Sequence, residues 1–432
     1  METIMEEVVI VGAGIAGLAT ALALKRVGIR ALVLEKAECL RTTGAALNLF
    51  PNAWIALDAL GVSHKLTPLY APLTTGSITN VATGGVQQIS FTGVFSGNGE
   101  GPRPVHRKKL LEVLAEELPP DTIRFSSQLA SIETQQFPSK SGASAASLAV
   151  VHLKDGTTIK SKVLIGCDGL HSMVAQWLGL SAPIHSGRSA ARGLAVYPQG
   201  HELGSNVQQF VDIGKRAGVV RLNDTEVFWF ITCEGDYRTY DPNTIQDEVL
   251  NHHASNFPSA FLDVVRHSDL SSLSWAPLMM RNPWNIIVGN VSRGNVTVVG
   301  DAFHPMTPDL GQGGCCALED AVVLGRHIGN SLIANGGGKK SLVPEEVAAV
   351  LEGYAKERRW RAAGLVTGSY VSGWVQQSGK NWWRKMLRVV FYSYLFVMLA
   401  RYVKFDCGKL PGGGDDDRVG DDRKPDGSSK LD

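Results

Sequence analysis

No two of the six cysteines form a CxxC pair; they stand apart at Cys39, Cys167, Cys233, Cys315, Cys316 and Cys407. That scatter offers no zinc frame, so no metal is expected, and free thiols suit a reducing compartment. Adjacent Cys315 and Cys316 are read as small residues at a helix start rather than as a redox pair. An excess of positive charge is missing too. Lys and Arg number 42 against 41 Asp and Glu, a formal net charge of +1, which leaves no electrostatic footprint for nucleic acid. The local cluster His106-Arg107-Lys108-Lys109 reads as a solvated helix start.

Long apolar runs are also absent. Val389 to Ala400, bounded by Arg388 and Arg401, is too short for the roughly 20 residues of a spanning helix. It is expected either to dock on the protein's own surface or to lie in a membrane interface as a peripheral contact. The first apolar strand begins near Val8 and leaves no room for a leader peptide. Ser429-Lys430-Leu431 resembles a peroxisomal address that the final Asp432 spoils. A cytoplasmic protein is expected, with membrane association as the alternative. No internal repeat appears, and no oligomeric state follows from these residues.

What remains is an ordinary globular balance, 44% apolar and 19% charged residues in 432, enough for two or three domains. Glu7-Val8-Val9-Ile10-Val11 reads as a strand buried on both faces. It runs into Gly12-Ala13-Gly14-Ile15-Ala16-Gly17 and a helix over Leu18 to Val27, which Gly28 closes. Ala31-Leu32-Val33-Leu34 is the next strand and ends on Glu35. In this unit the first glycine permits a tight turn and the second admits a pyrophosphate. The third lets helix and strand pack closely, and the acid accepts hydrogen bonds from a ribose diol.

A second full fingerprint is lacking, so two separate dinucleotide domains are excluded. Instead a strand, Val296 to Val299, leads through Gly300 and Asp301 to Pro308-Asp309-Leu310-Gly311-Gln312-Gly313-Gly314 and a helix. Backbone amides at that helix start suit the ring end of an extended cofactor, where charge develops on reduction. One long ligand held by both loops is FAD.

The fold class expected is α/β, a Rossmann-like FAD-binding domain on a parallel sheet, plus a mixed, antiparallel-sheet substrate domain and C-terminal helices. The first domain is drawn discontinuously from residues 1–69, 102–184 and 285–375, and the second from 70–101 and 185–284. Residues 376–408 form a C-terminal helical segment, and 409–432 a disordered tail. Helices are expected over Arg107 to Leu118, Ile245 to Ala260, Cys315 to Ala334 and Pro344 to Ser372, and hairpin strands over Leu129 to Ile165.

The GAGIAG stretch with Glu35, Val163-Leu164-Ile165-Gly166-Cys167-Asp168-Gly169-Leu170-His171-Ser172, and Gly300-Asp301 through Gly314 together resemble the single-component flavin monooxygenases. These are the p-hydroxybenzoate hydroxylase-like enzymes, with salicylate hydroxylase, urate hydroxylase and zeaxanthin epoxidase among them. Ala45 to Ala53 and Lys404-Phe405-Asp406-Cys407-Gly408 look most like the plant-type members. The resemblance implies that Gly12, Ala13, Gly14, Ile15, Ala16, Gly17 and Glu35 hold the ADP half of FAD, with Arg107 leaning on the cofactor. It implies that Asp301 bonds the ribitol and that Gly311, Gln312, Gly313 and Gly314 face the pyrimidine edge. Pro308 is placed beside flavin C4a, and Asp168 and Gly169 near both FAD and the nicotinamide.

The same resemblance implies transient NADPH or NADH as co-substrate, O2 adding at C4a to give a hydroperoxide, and oxygen transfer to a small aromatic or conjugated molecule. Where the second motif usually continues to an arginine, this chain has Ala175. A reductase or desaturase of the same fold, and a non-catalytic membrane-surface flavoprotein, stay open as alternatives. No general base is assigned. His304 is read as a brace for its loop. Arg192, His201, Gln209, Phe210, Arg216 and Trp229 are candidates to line the substrate pocket, and Tyr237 is no better placed.

Overall fold

The structure, a computed structural model, describes residues 3–40, 46–91, 101–137, 146–204, 206–334, 342–377 and 402–411. Among them the strands form an eight-stranded sheet, a seven-stranded sheet and a two-stranded pair.

The first sheet is built around Thr3–Val11. This strand pairs in parallel with Thr158–Gly166 on one side and Ala31–Leu34 on the other. Val8, Val9 and Ile10 are fully buried because helices cover both sheet faces. Val296–Val298 adds a further parallel strand beside Thr158–Gly166. Ile123–Arg124 closes the opposite edge. Leu129–Phe137 and Ala146–Leu153 continue antiparallel from Thr158–Gly166, and Gly156 turns the chain between the last two with a φ of +87°.

The helix Ile15–Arg26 packs against Gly313–Ala334, and glycine sets their spacing. A Cβ on Gly325 would lie 2.8 Å from the Ala23 Cβ, and one on Gly329 the same distance from Val27 Cγ1. The expected helix after residue 106 runs over Arg107–Glu116, and the last long helix over Pro344–Gln377. Residues 402–411 return to this layer. Arg361 Nη2 donates to the Tyr402 carbonyl at 2.8 Å, and the Arg361 guanidinium lies 4.0 Å from the Phe405 ring centre.

The second sheet has the order Ser274–Met280, Ile184–Val196, Glu226–Glu234, Lys215–Arg221, Asn206–Asp212, Thr75–Asn80, Val86–Ser90. Its pairings are antiparallel except that between Asn206–Asp212 and Thr75–Asn80. One face buries Ala191, Trp229 and Ile231 against Ile245, Phe261 and Val265 of the overlying helices. The other turns toward the first sheet. The helix expected over Ile245 to Ala260 is instead broken into Pro242–Glu248, a π turn at Val249–His253, and Ser259–Arg266. Pro258, without an N–H to donate, stands at the last break and starts the new helix.

Val389 to Ala400, the polar tail from 412, and most of the 376–408 segment fall outside the described residues. Among the described residues, no helix is long and apolar enough to cross a membrane.

Candidate active site

Between the two sheets lies a cavity of about 780 Å³, within the range of ~300–1,000 Å³ usual for small-molecule sites. Its wall begins at the first glycine loop. Gly12 has a φ of +103°, and a Cβ there would sit 2.5 Å from the Cys167 carbonyl oxygen. A Cβ on Gly17 would meet the Gly12 oxygen at 1.9 Å, so that glycine serves packing and is not part of the wall. Gly14 is different. Nothing lies within 4 Å of its absent Cβ, and its open side is cavity space. Ile15 and Ala16 continue the wall, while Ala13 is buried behind it.

Glu35 is buried at the end of its strand. Its Oε2 accepts from the Ala13 amide at 2.8 Å and its Oε1 from the Ala37 amide at 2.9 Å. Two backbone donors thus orient the carboxylate at the cavity's edge. Ser127 to Leu129 join the wall beside it, a contribution that the hairpin pattern gave no sign of.

The second glycine loop meets the first. A Cβ on Gly300 would stand 2.8 Å from the Ala16 Cβ, and its φ of +64° also favours glycine. Asp301 follows and opens onto the cavity, where it is reachable from the cavity space but walled by protein on its outer side. Burial raises its pKa, against the opposing positive fields of His304 and Arg107. Arg107, at the start of its helix, lines the same space. Pro308, Gly311, Gly313 and Gly314 complete this side. The Gln312 side chain points away: it is fully buried, and its Oε1 accepts from Asn52 Nδ2 at 2.9 Å. Only its backbone remains for the role expected of it.

Asp168 and Gly169 are in the wall at the end of Thr158–Gly166. Asp168 accepts from Ser172 Oγ at 2.5 Å and from the Met173 amide at 2.7 Å, so it also fastens the short helix Met173–Trp177. Burial raises its pKa in spite of these donors. Ala175 is buried in that helix, with its amide donating to Ser172 Oγ, and takes no part in the wall.

From the second sheet come Ala190, Arg192, Arg216, Phe228, Phe230 and Thr232. Two of the six candidates, Arg192 and Arg216, are therefore in the wall, and four are not. Trp229 is fully buried on the opposite face, its Nε1 donating to Ser268 Oγ at 2.7 Å and its ring edge-on to Phe261. Phe210 packs between Phe257 and Phe261. His201 turns to the Asn223 carbonyl at 2.8 Å. Gln209 accepts from Arg216 Nη2 at 3.2 Å without reaching the wall. Tyr237 lies edge-on to His253, away from the cavity. Strand alternation explains the Trp229 error: one residue of shift moves a side chain to the other face.

The family described as FAD binding domain matches residues 5–369. Monooxygenase 2 of Arabidopsis thaliana is 40% identical over 411 residues, which cover 94% of this chain and 98% of that protein.

The chain belongs to the FAD-dependent monooxygenase family.

A FAD-dependent urate hydroxylase of Mycolicibacterium vanbaalenii is 28% identical over 365 residues, 83% of this chain and 86% of its own. Among solved structures, Klebsiella pneumoniae HpxO complexed with FAD and uric acid has the same fold. It gives a TM-score of 0.76 at 24% identity, covering 92% of this chain and 96% of that one. FAD fits the residues of this member of the family. The bare side of Gly14 and the glycine helix start at Gly313 leave backbone open to a ligand, and the buried Glu35 carboxylate offers acceptors at the far end.

Beneath the second loop lies an ion cluster that the sequence pattern only hinted at. Asp320 accepts from the Gly300 amide at 3.0 Å, from His304 Nε2 at 2.6 Å and from Arg358 Nε at 2.6 Å. Arg358 also donates to Glu319 at 2.7 Å, as does Arg361. Burial disfavours charge on Asp320, but His304 and Arg358 outweigh it and hold the carboxyl at about 2. Burial likewise opposes charge on His304, and Cys316 and Asp320 overcome it, so its pKa stands well above the ordinary value. His304 thus braces its loop as an imidazolium and is not in the cavity wall. His304, Cys316 and Asp320 offer atoms within 4.8 Å of one another, as metal ligands would. Arg358 already donates to both Cys316 Sγ and Asp320 Oδ1, so a cation occupies those lone pairs and the group reads as an ion network.

Proposed function

We propose that this protein is a monooxygenase that uses FAD, NADPH or NADH, and O2 to hydroxylate or epoxidise a small aromatic or conjugated molecule. The observation that carries the reading is the contact of the two glycine loops at Gly300 and Ala16, which brings Gly14, Ala16 and Asp301 onto one cavity wall with Phe228 and Phe230 of the second sheet. The names of its relatives, a urate hydroxylase among them, support an oxygenated small-molecule product. We also propose the two-sheet division as a functional one, with cofactor residues on the first and substrate residues on the second.

When bound, FAD would supply the redox chemistry that couples oxidation of the nicotinamide to activation of O2. The chain's own residues have separate tasks. Gly12 and Gly14 let a diphosphate approach the backbone at the N-terminus of Ile15–Arg26, where unpaired amides and the helix dipole favour negative charge. Glu35 would accept from the ribose hydroxyls of FAD, Arg107 would lean on the cofactor with its positive charge, and Asp301 would accept from the ribitol. The helix start at Gly313 would hold the ring end of FAD, its free amides and dipole favouring negative charge there. Pro308 has no amide to donate and shapes the wall beside the reacting carbon. Asp168 and Gly169 border the space a nicotinamide would enter. The second sheet covers the opposite side and excludes bulk water while oxygen transfer proceeds.

The test is direct. Purified protein should be yellow, and on addition of its substrate should consume O2 and NADPH or NADH together. Product formed under 18O2 should carry one labelled oxygen; an unlabelled, reduced or dehydrogenated product would replace this reading with a reductase or desaturase.

A further inference from the structure

In the run Gly311-Gln312-Gly313-Gly314 only Gln312 carries a side chain, so it is the one side-chain anchor of a backbone that glycine otherwise leaves free to move. That anchor turns away from the cavity. Gln312 Oε1 accepts from Asn52 Nδ2 at 2.9 Å, and the same nitrogen donates to Glu319 Oε1 at 2.6 Å. Asn52 is fully buried in the first turn of Pro51–Ala59. Glu319 is held in its turn by Arg358 Nη2 and by Arg361 Nε, each at 2.7 Å.

The order of these contacts has a direction. A carboxylate can only accept, so the NH2 side of the Asn52 amide has to face Glu319, and Gln312 then has to present its oxygen. Asn52 Oδ1 and Gln312 Nε2 are left buried with no partner among the described residues. Two buried amides that share one hydrogen bond and leave two polar atoms unmet are a poor source of stability. What the arrangement does give is a fixed place for the Gln312 backbone. The chain before Asn52 backs the same loop: a Cβ on Gly311 would meet Phe50 Cε2 at 3.1 Å, and Cys315 Sγ donates to the Asn48 carbonyl at 3.8 Å. Beyond Gln312, Gly313 and Gly314 lie in the cavity wall at the first turn of Gly313–Ala334, where leading amides have no acceptor within the helix. How strongly such amides favour a negative ligand depends on their aim.

We propose that Asn52 is a positioning residue for the bound cofactor. Through Gln312 it aims the amides of Gly313 and Gly314, and so sets how far the site favours reduced over oxidised FAD. The proposal rests on the FAD-dependent monooxygenase reading and gives a task to a side chain that stands outside the cavity wall.

The experiment uses the full chain loaded with FAD, whose two-electron midpoint potential is measured by titration against a reference dye. FAD content and urea unfolding are recorded for every sample. Asn52→Leu removes the donor at similar volume, and Gln312→Met removes the acceptor. Each should retain FAD and weaken the preference for the reduced form about tenfold, a potential more negative by about 30 mV for a two-electron couple. The double variant should fall no further than either single one, since both act through one hydrogen bond. Trp229→Ala, which loosens the other core, should leave the potential unchanged. An unchanged potential in a folded, FAD-loaded single variant, additive shifts in the double variant, or an equal shift in Trp229→Ala would overturn the proposal. Loss of the fold or of FAD from both single variants would overturn it too, because the pair would then be structural; if only one is lost, the other decides. Wild-type protein that takes up no FAD would sink the functional reading itself, and its FAD content shows that before any variant is compared.

Discussion

Arg188 of the second sheet and Asp309 of the second glycine loop form a buried bidentate ion pair, with side chains only 6% and 1% exposed. It fastens the second sheet to the loop that runs into Gly311 and Gly313. A third element encloses it, because a Cβ on Gly373 of the last long helix would meet the Arg188 guanidinium. Pairs of this kind are costly to break from one side, since the remaining charge has no water to turn to. Replacing Arg188 by Ala should therefore destabilise the protein by ~3–5 kcal/mol. Urea unfolding of the two proteins checks this, and a loss well under about 1 kcal/mol would mean that the pair is solvated.

The glycines of the first loop should separate folding from cofactor binding. Gly17→Ala forces a Cβ toward the Gly12 oxygen at 1.9 Å and should cost several kcal/mol, by roughly the scale of severe core overpacking. Gly14→Ala meets no protein atom within 4 Å, so its fold should persist while FAD is lost. Circular dichroism melting and the flavin absorbance of the purified variants measure the two effects. A yellow, normally melting Gly17→Ala protein would contradict the packing role.

The cluster under the second loop sets a pH dependence. Asp320 is held at about 2 in the fold against an ordinary 3.8. A depressed carboxyl pKa contributes stability that is present above the unfolded value and lost as pH falls through the folded one. Roughly 2 kcal/mol should disappear between about pH 4 and pH 2. His304 acts with the opposite sign: its pKa is raised from 6.5, so its contribution is full below that pH and is lost as pH rises through the elevated value. Asp320→Asn should flatten the acid limb of stability against pH and lower the plateau by ~3–5 kcal/mol, since Arg358 loses a buried partner. Stability measured by denaturant at steps from pH 2 to 7 tests the effects of Asp320→Asn, and continuing the steps well above pH 7 tests the His304 limb.

The two faces of Glu226–Glu234 predict opposite outcomes for neighbouring aromatic residues. Trp229→Ala empties a fully buried site and should cost ~3–5 kcal/mol. Phe230→Ala alters the cavity wall and should raise KM far more than it lowers stability. Steady-state kinetics beside thermal melting of both variants would show it, and equal stability losses would argue against this assignment of faces.

That pair also shows where the sequence stopped being informative. Val227 to Ile231 is apolar throughout, so period-two alternation has no polar residue to mark the outer face, and the pattern does not separate Trp229 from Phe228 and Phe230. His201, Gln209 and Phe210 failed as wall residues for a related reason, because pocket membership depends on sheet packing over long separations. Arg188 and Asp309 are 121 residues apart, and no local pattern joins them. The glycine loops were legible because each demand is local. A positive φ at Gly12, a bare approach at Gly14, close packing at Gly17 and an acid at the next strand end all act within one βαβ unit. The second loop was legible for its strand, glycines and helix start; the Asp320 and Arg358 cluster beneath it was not, since it draws on a helix that begins thirty residues later.

The central claim is that a single FAD spans both glycine loops, and a crystal structure of the FAD-loaded protein tests it most directly. Density for the adenosine should lie beside Glu35 and density for the tricyclic ring against Gly311 to Gly314. A ring found away from that second loop, with the adenosine still beside Glu35, would contradict it.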